Sequence, residues 1–135
     1  MTVTVEIPMT LPSTSNLREH WAVKAKRVKA QRQAVDWWLK SSRVQWQLDG
    51  RPGPWWPLHG TAKLVVTLTR VAPRKLDDDN LRGAFKAVRD SVAAYFSVDD
   101  ADPRVIWRYE QAKGPACVRI GFEVRSVDEA LEALK

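Results

Sequence analysis

The run Lys75-Leu76-Asp77-Asp78-Asp79-Asn80 packs three carboxylates into one short stretch of an otherwise basic chain. Two carboxylates held about 4 Å apart repel by about 4 kcal/mol at an effective dielectric of about 20. A divalent cation is the agent best suited to offset that repulsion. A second acidic cluster, Asp99-Asp100-Ala101-Asp102, follows about one helix length later. In a chain of formal net charge +6, two such clusters read as a metal site set in a polyanion-binding surface. The corresponding chemistry is that of phosphate esters in nucleic acid.

Asp77 and Asp79 close an extended stretch, and the two-residue period of a strand would send both side chains to one side, with Asp78 pointing away. The competing reading is helix capping: Asp79 or Asn80 falls where a second helix should start, and the helix dipole favours negative charge there. Three consecutive aspartates exceed what a cap needs, so metal binding is preferred. Arg82 and Lys86 follow Asp79 by three and seven residues on nearly one face of that helix. Seven helical residues span about 10 Å, and side chains lean back toward the N-terminus. Either cation would then stand where charge develops during phosphoryl transfer. Plain surface basicity explains each of them equally well.

If the strand after the second helix returns beside the acidic turn, one carboxylate of Asp99, Asp100 or Asp102 completes a three-carboxylate site. An all-oxygen donor set suits Mg²⁺ or Mn²⁺. Zinc has no Cys/His spacing to bind, since His20 and His59 are isolated and each reads as a surface or packing residue. No Ser/His/Asp or Cys/His nucleophile arrangement, Gly-rich phosphate loop or organic-cofactor motif is present.

The cations are unevenly distributed. From Arg18 to Arg43, eight of them (among them Lys24, Lys26, Arg27, Lys29 and Arg32) face two acids, Glu19 and Asp36. This segment alone carries the excess of the whole chain. Such a stripe is the footprint of a phosphate-backbone binder, or equally a solvated helix face; the acidic clusters favour the former. Lys75, next to the acidic turn, joins the candidate DNA contacts.

Which elements position these groups? Thr2 to Ile7 alternates as a half-buried strand. Ser15 or Asn16 is placed to cap a helix from about Leu17 to Ser42, whose apolar stripe is Trp21, Ala25, Val28, Val35 and Leu39, while Lys24, Arg27 and Gln31 lie on another stripe. Residues 45–60, broken by glycine and proline, predict an irregular loop. Thr61 to Arg70 predicts a strand. A helix from Asn80 to Phe96 follows, with Leu81, Ala84, Phe85, Val88, Val92 and Tyr95 as its core face. Arg104 to Gln111 and Ala116 to Val124 predict two more strands, and Ser126 with Glu129 forms a capping box for a short terminal helix over 126–135. The order β-α-β-α-β-β-α implies a single α/β (α+β) domain spanning 1–135, with one mixed sheet of about four strands under two main helices. At 135 residues with 44% hydrophobic content, one core is the natural expectation. The lone Cys117 excludes an internal disulfide framework. With no leader pattern and no apolar run of membrane-spanning length, the expectation is a soluble cytoplasmic protein, in a bacterial cell or a phage-infected host.

The residues Lys75-Leu76-Asp77-Asp78-Asp79-Asn80-Leu81, then Ala84-Phe85-Lys86-Ala87-Val88-Arg89-Asp90, then Val98-Asp99-Asp100 before an Ile/Trp/Tyr strand, resemble the RusA family of Holliday-junction resolvases of phages and prophages. Leu11-Pro12-Ser13 with Asn16 is similar to that family's Pro-Pro-Ser-x-Asn opening, with looser spacing. The likeness runs from about Val3 to Val124. It implies a Mg²⁺-dependent homodimeric endonuclease that nicks four-way DNA junctions symmetrically in recombination and repair. Asp77 and Asp79 match its first two metal-binding aspartates and Asp100 the third, with Asp102 a competitor for that role. Its catalytic lysine falls at Gly83, leaving Lys86, with Arg82 in reserve, to stabilise negative charge as an activated water attacks in line. That attack leaves a 5′-phosphate and a 3′-hydroxyl. The basic stripe would grip duplex arms by their phosphates, so recognition should follow junction shape.

Other readings use the same residues. The site could cut flaps, forks or RNA. Gly83 favours a silent nucleic-acid-binding protein holding a structural cation. A third reading is a basic interaction module with no metal. The seven tryptophans read as core or dimer interface, Trp21 and Trp107 especially, with Trp55 and Trp56 as candidates for DNA or partner contact.

Overall fold

The computed structural model describes residues 2–13, 20–49 and 63–125. The terminal helix expected over 126–135, the caps Ser15 and Asn16, and Trp55 and Trp56 lie outside them. Among the described residues one four-stranded mixed sheet carries four helices, a small α+β domain. No described helix is long and apolar enough to cross a membrane.

β1 (Thr2–Ile7) follows its alternation, burying Val3, Val5 and Ile7. β2 (Lys63–Ala72), β3 (Val105–Lys113) and β4 (Cys117–Arg125) complete the sheet in the order β1-β4-β2-β3. β4 runs antiparallel to both β1 and β2, and β3 runs parallel to β2 along the edge. The register places Val3, Val5, Ile120, Phe122, Val66 and Leu68 on one face, which the helices cover. Fully burying an aliphatic or Phe side chain contributes about 2 kcal/mol, so this face dominates the core.

α1 (Trp21–Ser41) starts later than its hydrophobic pattern suggests, and its cap is His20, whose Nδ1 accepts the Ala22 N–H at 3.2 Å. His20 is thus a cap rather than a packing residue. The expected apolar stripe holds only in the second half of the helix, where Val35 and Leu39 are buried beside Gln31. Trp21 is 75% exposed and Ala25 is exposed as well. Among the described residues no sheet or helix buries those positions, so Trp21 is not a core residue. Trp107 is half-buried and donates its indole N–H to the Asp100 carbonyl at 2.9 Å.

Residues 44–49 are not part of an irregular loop: α2 (Val44–Asp49) buries Val44 and Leu48 one helical turn apart. No glycine or proline intervenes before Gly50, and the buried pair holds the turn of helix in place. The helix expected over 80–96 is two helices, α3 (Asp78–Ala84) and α4 (Lys86–Tyr95), joined at Phe85. Phe85 sits in the bridge region, φ −88° and ψ 0°, with its ring fully buried. Core burial of that ring, two residues after the weak helix former Gly83, fixes the break. The expected core face survives it: Leu81, Ala84, Val88 and Val92 are buried.

Candidate functional site

The acidic turn leaves the end of β2, and two buried or half-buried polar groups hold it. Arg70, on the covered face of β2, donates from Nε to the Leu11 carbonyl at 2.9 Å and from Nη1 to the Arg74 carbonyl at 2.7 Å. Gln111 of β3 clamps Leu76 from both sides, accepting its N–H at 2.8 Å and donating to its carbonyl at 2.7 Å. Both anchors were missed in the sequence. Arg70 had a signal, a cation in phase with Leu64, Val66 and Leu68; Gln111 had none.

Asp77 and Asp79 do not share an extended backbone. Asp77 is the extended N-cap of α3, with its Oδ1 accepting the Asn80 N–H at 2.9 Å, while Asp79 lies in the first helical turn. Capping therefore accounts for one oxygen of Asp77, and the two-residue period does not carry across the helix start. All three aspartates of the turn are exposed.

Arg82 and Lys86 diverge, contrary to the single-face expectation. The guanidinium of Arg82 lies over the Tyr109 ring at 5.5 Å, toward β3. Lys86 opens α4 beyond the break and pairs with Asp90 at 3.6 Å, toward α1. The discontinuity at Phe85 is the physical reason.

Among the described residues the second acidic cluster does not join the first in a group of three candidate ligands. β3 is parallel to β2, so the loop feeding it lies at the start of β3, while the acidic turn lies at its end. Asp100 is anchored at Trp107 and Leu76 at Gln111, four strand residues or about 13 Å apart. Each acid of this loop also has work of its own. Asp99 Oδ1 accepts the Ala101 N–H at 2.9 Å. Asp100 Oδ2 stands 3.2 Å from Arg89 Nε, and its carbonyl accepts from Arg89 Nη2 at 3.0 Å. Asp102 pairs with Arg104 at 2.7 Å. The Arg104 side chain first, and then its backbone N–H, hold the Asp102 carboxyl down to about 2. Asp102 is thus engaged by Arg104.

Across the described residues, carboxylates are paired almost throughout. Asp36 meets Lys40, Asp90 meets Arg32 and Lys86, Asp100 meets Arg89, Glu6 meets Arg119, Glu110 meets Arg108 and Glu123 meets Arg125. Asp77, Asp78 and Asp79 make no ion pair with any described residue. By donor chemistry Asp77 and Asp79 suit a hard cation. The described residues of one copy, however, bring no three Asp, Glu, His or Cys side chains together as a metal site. The fit is therefore incomplete within one chain, with Asp100 the missing member.

The basic residues of α1 do not form one stripe. Lys24, Arg27 and Arg32 line a cleft of about 310 Å³ between α1 and the α3–α4 break, whereas Lys26 and Lys29 lie on the opposite side of the helix and are exposed. The far wall of the cleft is Gly83, Ala84, Lys86, Ala87 and Asp90. Lys75 is exposed beside the acidic turn. The cations of α1 are thus spread around its circumference.

No family model matches this chain, and no curated protein sequence matches it.

Proposed function

We propose that this protein is a divalent-metal-dependent, structure-selective endodeoxyribonuclease acting on branched DNA, four-way junctions first. One observation carries the reading. In a chain with a +6 excess, the carboxylates of the 77–79 turn are exposed and without a cationic partner among the described residues, while nearly every other described acid has one. Protein cations are plentiful, so clustered carboxylates left without them are suited to an ion from solution. The resemblance to RusA-type resolvases points to the same turn.

Asp77 and Asp79 would hold Mg²⁺ or Mn²⁺, which supplies activation of water and polarisation of the scissile phosphate. No third carboxylate joins them as a metal group among the described residues, and the homodimer that the resemblance implies would supply it. Lys86 neutralises phosphate charge from the cleft side, and Arg82 is reserved for Tyr109. The cationic half of α1 and Lys75 grip duplex backbones.

The test is cleavage of a labelled synthetic four-way junction with and without Mg²⁺, beside duplex, flap and single-stranded controls. Paired symmetric nicks on the junction alone, dependent on metal and lost in Asp79→Asn, support the proposal. Metal-dependent cutting that survives Asp79→Asn sinks it. A second reading, a catalytically silent junction binder, is favoured by Gly83 at the position of the family's lysine and by the Arg89 partner of Asp100. Tight junction binding with no cleavage selects it.

A further inference from the structure

The cleft between α1 and the α3–α4 break has features that phosphate-backbone gripping does not require. Small side chains create it. Gly83, Ala84 and Ala87 face α1 where longer residues would close the gap. One turn further on, the helices do close, with Ser91 Oγ donating to the Arg32 carbonyl at 3.0 Å. Val28, Ala84 and Ala87 make an apolar floor, and Lys24, Arg27 and Lys86 form a cationic rim. Arg32 adds a fourth cation, and Asp90 is the single lining carboxylate. Gln31 also lines the cleft, at 8% exposure, and its side-chain amide makes no hydrogen bond with a described residue. Its amide is not among the fully buried unpartnered atoms, so it keeps access to the cleft, where it offers a donor and an acceptor side by side.

We infer that this cleft is a binding site for a single nucleotide, its phosphate at the rim, its base on the apolar floor and its base edge at Gln31. A volume of about 310 Å³ suits a small ligand of that size. A bare phosphate would leave the apolar floor empty. An apolar ligand would make no use of a lining that holds four cations and one carboxylate. The occupant is either an unpaired nucleotide of a DNA strand, which rests on the nuclease reading above, or a free mononucleotide, which does not.

Isotope-labelled protein titrated with thymidine monophosphate, thymidine and inorganic phosphate tests the site. The expected result is shifts at Val28, Gln31, Gly83 and Ala87, with the nucleotide binding about tenfold tighter than either fragment. Gln31→Leu and Gly83→Leu should each weaken nucleotide binding by about tenfold. Gly83 is exposed, so its leucine variant fills the mouth of the cleft without disturbing the core. Nucleotide affinity no better than that of phosphate, or unchanged in both variants, overturns the inference. A junction carrying 2-aminopurine at its branch point separates the sources. A fluorescence change on binding that Gly83→Leu lacks identifies a strand nucleotide, and thymidine monophosphate binding without that change identifies a free one. Junction cleavage with no nucleotide binding defeats this inference alone. Nucleotide binding with no action on junctions defeats the nuclease reading alone.

Discussion

Arg89 and Asp100 form the central contact between α4 and the loop that feeds β3. The guanidinium reaches the Asp100 carboxylate at 3.2 Å and its carbonyl at 3.0 Å, donates to the Tyr109 hydroxyl at 2.9 Å and stacks over Trp107 at 4.7 Å. One side chain therefore ties a helix, a loop and two strand residues together.

Replacing Arg89 by Ala should destabilise the fold by about 2 kcal/mol. It removes a stacked cation and leaves half-buried Tyr109 and the Asp100 loop short of partners. Urea unfolding of the variant checks this, and Arg89→Lys should recover only part of the loss, since an ammonium cannot reproduce the planar fork. A change within about 0.5 kcal/mol would show that the network contributes little.

Metal should act on the acidic turn before it acts on DNA. Mg²⁺ or Mn²⁺ is expected to raise the melting temperature of the protein, with Asp77→Asn and Asp79→Asn each removing most of that rise. Asp78→Asn should leave it largely in place. Asp77→Asn keeps a side-chain oxygen able to cap α3, so its loss of metal response is separable from loss of the cap. Scanning calorimetry with and without the ion gives the answer, and equal responses in all three variants would count against the assignment.

The Asp102–Arg104 pair predicts an acid limb in the stability profile. Asp102 is held down to about 2 in the folded protein, below its ordinary value, chiefly by the Arg104 side chain. A depressed carboxyl contributes stability that is present above the unfolded pKa and lost as pH falls through the folded one. The loss from this group should therefore fall between about pH 4 and pH 2. The profile of Asp102→Asn should run flatter than the parent's across that window in denaturant titrations. Identical slopes would show that the pair does not contribute.

Tyr95 joins α4 to α2 through its hydroxyl, which accepts the Gln45 N–H at 3.0 Å. Burial pushes its pKa above the ordinary value. Tyr95→Phe should cost about 1–3 kcal/mol, because it strands a part-buried backbone donor. Thermal unfolding together with hydrogen exchange at Gln45 measures both the loss and its location. Unchanged exchange at Gln45 would contradict this account.

Much of the fold was legible because it rests on short-range pattern. The alternation of Thr2–Ile7 and of Cys117–Arg125, and the stripe from Leu81 through Val92, each report burial on one face. Reading failed where a pattern needed a neighbour to pack against. Trp21 is in phase with Val28 and Val35, yet it is 75% exposed. The helix break at Phe85 and the helix at 44–49 were hidden for the converse reason, since a buried ring and a buried Val44–Leu48 pair outweigh local propensity there.

The candidate site divides in the same way. Its chemistry is written in the chain: clustered aspartates, a +6 excess and the cations of α1 are properties of composition and spacing. Which of those groups meet is not. Arg82 goes to Tyr109, Lys86 to Asp90 and Asp100 to Arg89, and Gln31 lines a cleft. A parallel β2–β3 pairing sends the two acidic clusters to opposite ends of an edge strand. Sequence sets each residue's charge and its local period, whereas distance between remote residues depends on strand direction and register, which only the packed sheet decides.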